Sequence, residues 1–262
     1  MFLTIGELIN STRDEVKQAL KEKDEGLIRK LARDQAETGA DVIDLNAGES
    51  MEDEQKDMDW LIDLVEDEIE DVRICIDTPD PEVLEFALEK VENKPVINSI
   101  SNEADKKRAR EVASGYDAEI IGLAMGEEGM PETVEDRLNE TEALLKKCDQ
   151  LGIDKDNLYI DVIAMTIGSN QEQGQYVIDS VRQIKEKFGV KTNIGLSNMS
   201  FGLPDRPLIN RTVFAMLLEA GLDAALIDPT DKAMMDTLKA AEALLGADKN
   251  CLNYLKYKRS CS

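Results

Sequence analysis

The chain has 262 residues, with 31 basic and 55 acidic side chains, a formal net charge of −24 and no histidine. Without histidine, Ser-His-Asp and Cys-His nucleophile systems are excluded, as is any His-ligated zinc, iron or copper site. Acid–base chemistry falls to carboxylates, amides, tyrosine, lysine, cysteine or bound water. So acidic a surface repels phosphate, which argues against a nucleic-acid partner and reads as a solvated exterior.

One pattern repeats along the chain: a short β-branched run ending in polar residues, then a longer amphipathic stretch. Phe2–Asn10 (FLTIGELIN) reads as the first strand. A helix follows over Asp14–Thr38, with Val16, Leu20, Leu27, Ile28 and Leu31 near the 3.6 period and Gly39 as its stop. Asp41–Gly48 is the second strand, and Asp53–Glu70 the second helix, carrying Trp60, Leu61, Leu64, Val65 and Ile69 on one side. Strands then recur at Arg73–Thr78, Pro95–Ser101, Glu119–Met125, Leu158–Met165, Thr192–Ser200 and Ala224–Thr230. Pro81, Pro131 and Pro207 stand where a helix's first turn, or its approach, tolerates them.

Eight such units match the length of a (β/α)8 TIM barrel, roughly 250 residues, and predict one domain over 1–262. A doubly wound open sheet is the rival, but no glycine-rich strand-to-helix turn and no composition break supports it. The N-terminal MFLTIGELIN is too short and acidic for a signal peptide, and no apolar run is long enough to span a membrane. Cys75, Cys148, Cys251 and Cys261 form no CxxC pair, so reduced thiols and a cytoplasmic location are expected.

In a barrel the active site lies at the C-terminal ends of the strands. Those ends carry Glu7 and Asn10, Asp44 and Asn46, Asp77, Asn98, Asp161, Ser197 and Asn198, and Asp228. Asp, Asn and Gly also favour strand exits simply because they cap the next helix. Yet Asp77 follows RICI, Asn98 follows PVI and Asp161 follows LYI, each directly after a buried-type run. Converging carboxylates imply a metal, a cationic ligand or a ligand rich in N–H donors. No strand end carries lysine, which argues against a Schiff-base aldolase and against an enolase-type Mg2+ site. A ring of carboxylates and carboxamides suits a flat heterocycle with several N–H groups. A pterin is one: its 2-amino group and N3–H lie side by side, and one carboxylate accepts both.

The motifs IGELIN, DLNAG, CIDT, INS, YIDV and GLSN, with RPLINRTVFAM (Arg206–Met216) and GLDAALID (Gly221–Asp228), run in order along the chain. In that order the sequence resembles the pterin-binding methyltransferases, and more closely the methyltetrahydrofolate:corrinoid protein methyltransferases of anaerobic one-carbon metabolism. The resemblance implies a barrel that forms homodimers and moves a methyl group between N5 of tetrahydrofolate and the cobalt of a separate corrinoid protein. Through CIDT, INS and YIDV it makes Asp77, Asn98 and Asp161 pterin ligands. Through GLSN it places Asn198 beside N5 as the catalytic residue, with Gly195 and Ser197 shaping that loop. Glu7, Asp44, Asn46 and Arg206 fall in motifs lining the same cavity. Dihydropteroate synthases share the pterin pocket, but their Arg-x-His pair is missing here.

With no Asp-x-His-x-x-Gly motif, the chain is expected to hold no corrinoid tightly and to bind no metal itself; the cobalamin arrives on a partner. Two other readings stay open: a metal-dependent barrel lyase or aldolase, and a folate-binding protein without catalysis. Met125, Met130 and Met165 lie near strand ends and serve as core or loop filling, or face a corrin ring. Cys75, inside a strand, is expected to be buried and inert. The acidic stretch Glu49–Asp71 reads as a solvated helix face, the basic NYLKYKRSCS as the surface end of the last helix, and the apolar helix Pro207–Ala220 as a face that needs cover.

Overall fold

The computed structural model describes residues 2–49 and 53–260. Cys261, the last two residues of the basic C-terminal segment and positions 50–52 of the acidic stretch lie outside them.

Among the described residues, eight parallel strands form the sheet: β1 (Leu3–Asn10), β2 (Val42–Asn46), β3 (Ile74–Asp77), β4 (Val96–Ile100), β5 (Glu119–Leu123), β6 (Leu158–Asp161), β7 (Lys191–Asn193) and β8 (Ala224–Ile227). Their order is β7-β6-β5-β4-β3-β2-β1-β8. The remaining seam closes through single contacts. A parallel bridge joins Gly195 to Leu226, and the Leu226 N–H donates to the Ile194 carbonyl at 3.0 Å. The result is a (β/α)8 TIM barrel, with each expected strand in place. The strands themselves stop earlier than the apolar runs. β7 is cut to three residues because Gly195 opens a 3-10 turn over Leu196–Ser200.

The helices α1 (Asp14–Glu22), α2 (Glu25–Thr38), α3 (Glu54–Glu68), α4 (Pro81–Lys90), α5 (Lys107–Ala113), α6 (Val134–Gln150), α7 (Gln173–Phe188), α8 (Arg206–Ala220), α9 (Lys232–Leu244) and α10 (Leu252–Ser260) lie in the connections and after β8. The single helix expected over Asp14–Thr38 is two. Lys23 turns left-handed (φ 54°) and Asp24 caps α2, accepting from the Leu27 N–H at 3.1 Å. The apolar period runs unbroken across this joint because both helices bury the same side against the sheet, so periodicity alone does not reveal it. Pro81 begins α4, Pro207 stands in the first turn of α8, and Pro131 precedes the Thr133 cap of α6.

Strand alternation divides the apolar side chains into two cores. Between sheet and helices lies the large one, including Ile43, Leu45, Ile76, Ile97, Ile160 and Phe214. Inside the barrel lies a small one of Ile5, Val42, Cys75, Val96, Ile121, Tyr159 and Ala224. That inner layer is a floor, and counting two residues onward along each strand gives the side chains standing on it.

Candidate active site

Two residues beyond the inner core stand Glu7, Asp44, Asp77, Asn98, Leu123, Asp161, Asn193 and Leu226, a mostly polar layer at the C-terminal end of the barrel. On β1 the pairing with β2 gains a residue between Gly6 and Ile9, so Glu7 faces inward while Leu8 and Ile9 join the outer core. This bulge is braced from behind. The Leu8 N–H donates to Gln35 Oε1 at 2.9 Å, and a Cβ at Gly6 would lie 2.5 Å from that oxygen, so only glycine fits.

The polar layer is knitted by amide-to-carboxylate bonds. Asn98 Nδ2 donates to Asp44 Oδ1 at 3.3 Å, and the Cys75 thiol also donates to Asp44. Asn46 Nδ2 donates to Asp77 Oδ2 at 2.9 Å, and Asn46 Oδ1 accepts from the Ser11 hydroxyl at 2.6 Å. Asn193 Nδ2 donates to Asp161 Oδ2 at 2.7 Å, and the Ile163 N–H donates to Asp161 Oδ1 at 2.8 Å. Cys75 is buried as expected, but it touches the site rather than serving only as packing.

Not one of these carboxylates forms an ion pair among the described residues, and burial raises all of them. Burial lifts Asp161 to about 6 against hydrogen bonds from Ile163, Asn193 and Gly195. It likewise lifts Asp77 to about 6. Burial, with Asp77 nearby, drives Asp44 well above the ordinary aspartate range. Glu7 is lifted by burial to about 7, against the Ser197 hydroxyl that donates to its Oε1 at 3.1 Å. Two acceptor atoms on this layer, Asp44 Oδ2 and Asn193 Oδ1, are buried with no hydrogen-bond partner. A buried acceptor left alone costs about 1–3 kcal/mol. The layer therefore has fewer donors than its oxygens call for, a deficit of the kind that a ligand rich in N–H groups meets.

Above this layer lies the turn after β7. The Arg206 guanidinium holds it, donating from Nη2 to the Ser197 carbonyl at 2.8 Å and from Nε to the Ser200 hydroxyl at 3.1 Å. Asn198 is exposed in this turn, and its carboxamide has no hydrogen-bond partner among the described residues. Its Nδ2 lies 3.8 Å from the point where Gly195 would carry a Cβ, and the Gly195 N–H bonds to Asp161. Gly195 is thus a neighbour of both the Asn198 carboxamide and the Asp161 carboxylate.

The structure brings together all the residues expected at the site, and it demotes two other strand-end residues. Asn10 Oδ1 and Asp228 Oδ1 accept from Thr12 and Thr230, two residues on, and so hold their own turns, although Asp228 also lines the cleft beside Glu7. Two residues escaped sequence reasoning. Asn193, fully buried, was legible: counting back two from Gly195 along the strand puts it on the inward face. Arg137 was not, because nothing in the amphipathic pattern of α6 marks an arginine as buried. It is fully buried, donating to the carbonyls of Val162 (2.6 Å) and Ile163 (3.0 Å). Ile163 is left-handed (φ 54°), a conformation β-branched residues avoid at a cost of order 1–3 kcal/mol. Arg137 on its carbonyl and Asp161 on its N–H hold it there.

Among the methionines near strand ends, Met130 is exposed and Met125 and Met165 are half-buried. No group of three or more Cys, Asp or Glu among the described residues is arranged to hold a metal ion. No helix among them is long and apolar enough to cross a membrane.

A sequence profile of the pterin binding enzymes matches residues 6–228, from the first inward strand to the end of the last. The chain belongs to this family. Within it, the methylcorrinoid:tetrahydrofolate methyltransferase of Eubacterium limosum is 33% identical over 259 residues, 97% of this chain and 95% of that one. The methionine synthase of Mycobacterium leprae is 30% identical over 240 residues, 86% of this chain. The match spans 20% of that much longer protein. Among solved structures, a Yersinia pestis DHPS with a pterine-sulfa conjugate superposes with a TM-score of 0.65, covering 92% of this chain and 94% of that one at 19% identity. At that identity the likeness concerns the fold alone.

Proposed function

We propose that the protein is a methyltransferase that moves a methyl group from a methylcorrinoid to N5 of tetrahydrofolate, and back when the corrinoid is reduced. One observation carries the reading. A chain similar from end to end to a methylcorrinoid:tetrahydrofolate methyltransferase holds at its barrel mouth the buried carboxylates of Asp77 and Asp161, for which it supplies no ion pair, beside the unmet carboxamide oxygen of Asn193. A pterin edge answers that need. Asp77 and Asp161 accept its ring N–H and amino protons, Asn98 meets the remaining acceptors, and Asn193 adds a free carbonyl oxygen. Asp44 and Asn46 hold those ligands in place, Asp44 accepting from Asn98 and Asn46 donating to Asp77, and Glu7, Gly195, Ser197 and Arg206 form the wall toward N5.

Asn198 is the catalytic residue of this reading. N5 changes its bonding as the methyl group passes. A neutral carboxamide free of other partners can meet it more strongly in the transition state than before it. The corrinoid is a substrate carried by a partner protein that docks over the mouth, and cobalt is cargo rather than a resident metal. The exposed Leu208 and Met216 of α8 form the apolar face through which two copies pair as a homodimer. The cytoplasm is the compartment that suits the thiols of Cys75, Cys148 and Cys251, which are free among the described residues.

A spectrophotometric assay tests the function directly. Free methylcob(III)alamin with tetrahydrofolate is expected to give cob(I)alamin, and cob(I)alamin with methyltetrahydrofolate the reverse. Tight folate binding without turnover in either direction would make the chain a binding protein instead. Activity that requires a divalent metal would point to the lyase reading.

A further inference from the structure

The proposed reaction releases a proton. The N5 lone pair of tetrahydrofolate forms the bond to the methyl carbon. The carbon–cobalt bond breaks with its electron pair left on cobalt, which passes from the +3 to the +1 state. N5 then sheds its hydrogen as a proton, and the N–H pair returns to nitrogen. Each turnover needs one base, and the mouth offers four carboxylates.

Three of them are committed elsewhere. Asp161 is held by Asn193, Ile163 and Gly195, and Asp77 by Asn46; both are needed for the pterin edge. Asp44 is fully buried, bonded to Asn98 and the Cys75 thiol. Glu7 differs in three ways. Its one side-chain hydrogen bond comes from Ser197, the neighbour of Asn198. It faces inward on the same side of the mouth as that turn. It also lines a cleft of about 240 Å3 between β8 and α8, shared with Arg206, Asn210, Asp228 and Asp231.

We propose that Glu7 is the proton acceptor of the methyl transfer, taking the N5 proton through the Ser197 hydroxyl or one water and releasing it to solvent along this cleft. The inference rests on the function proposed above and adds a role to a residue otherwise part of the wall.

The charged groups around Glu7 are Asp44 on β2, Asp228 at the end of β8, Asp231 before α9, Arg13 after β1 and Arg206 on α8. Burial dominates, Ser197 and the two arginines oppose it, and Asp228 adds to it, leaving Glu7 at about 7. A base poised near neutrality both takes a proton and gives it up.

Single-turnover rapid mixing of methylcob(III)alamin with tetrahydrofolate, from pH about 5.5 to 8.5, tests the role beside calorimetry of tetrahydrofolate binding. The wild-type rate is expected to rise with pH and level off above about 7. Glu7→Gln is expected to bind folate within about threefold of wild type. At pH 8 it should transfer the methyl group about a hundredfold more slowly, without the rising limb. Ser197→Ala removes a bond that favours the charged carboxylate, so its limb should move to higher pH. A wild-type limb in Glu7→Gln would overturn the proposal. So would lost folate binding in Glu7→Gln together with an unmoved limb in Ser197→Ala, which makes Glu7 a wall and no more. If wild-type protein binds no tetrahydrofolate, the proposed function fails first, and this role with it.

Discussion

At the N-terminal end of the barrel interior, Arg73, Glu119, Tyr159 and Lys191 close on one another. Arg73 pairs with Glu119, the Tyr159 hydroxyl donates to Glu119 Oε1 at 3.1 Å, and Lys191 lies 3.6 Å from the same carboxylate. At the C-terminal end, Glu7, Asp44, Asp77 and Asp161 meet amides, hydroxyls and a thiol. The two layers lie on opposite sides of the same apolar floor. Burial pushes Glu119 up, but Arg73, Tyr159 and Lys191 together hold it below the ordinary glutamate value. The four mouth carboxylates, with no such partners, all end above theirs. One end is finished by the chain itself. The other is left for a ligand to finish, and that difference separates a site from a stable base better than polarity alone does.

The comparison predicts that substitutions at the mouth cost function and substitutions in the N-terminal layer cost stability. The largest effect is expected at Asn198. Asn198→Ala should slow single-turnover methyl transfer about a hundredfold to a thousandfold, or about 2.7–4 kcal/mol of barrier, with folate affinity and melting temperature near wild type. A wild-type rate would remove Asn198 from the chemistry.

Next is the pH dependence of the ligand-free fold. Burial raises Asp77 and Asp161 from the ordinary aspartate value of about 3.8 to about 6, so the native state holds their protons more tightly than the unfolded chain. Stability therefore falls as pH rises from about 4 through about 6, by roughly 3 kcal/mol for Asp161, with Asp77 adding to the fall in the same direction. Urea melts at pH 5 and pH 8 should show the ligand-free protein more stable at the lower pH, and Asp161→Asn should reduce the difference without abolishing it, because Asp77 and Glu7 remain. Greater stability at pH 8 would mean these carboxylates are paired after all.

In folate affinity, Asp77→Ala or Asp161→Ala should weaken tetrahydrofolate binding by about 1.5–3 kcal/mol, or about tenfold to a hundredfold by calorimetry, without unfolding the chain. Two mutants that bind as wild type would move the pocket elsewhere. The smallest effect is expected in the N-terminal layer. Arg73→Ala leaves Glu119 half-buried with weaker partners and should cost about 1–2 kcal/mol in denaturant melts, with little change in transfer rate. An activity loss larger than the stability loss would erase the distinction between the two ends.

The eight strands, their order as repeated units and the polar character of their ends are local properties of the chain. A β-branched run followed by Asp or Asn is visible in RICID, PVIN and LYID without any partner, and so was the barrel. Strand alternation carries some of the site as well, for it puts Asp44 and Asn46 on one face and would have put Asn193 there. The joint at Lys23 and the end of β7 were not legible, because apolar spacing continues through both while the backbone does not. Which strand-end residues serve the site and which serve their own turns was decided only by tertiary structure. Asn10 and Asp228 read like Asn98 and Asp77 in sequence, yet they bond to a threonine two residues on. The buried Arg137, the left-handed Ile163 it holds, and the partnerless oxygens of Asp44 and Asn193 belong to the same class. The physical reason is that sequence specifies which groups a residue can offer, whereas an unmet hydrogen bond exists only once the neighbours that might have met it have taken their places.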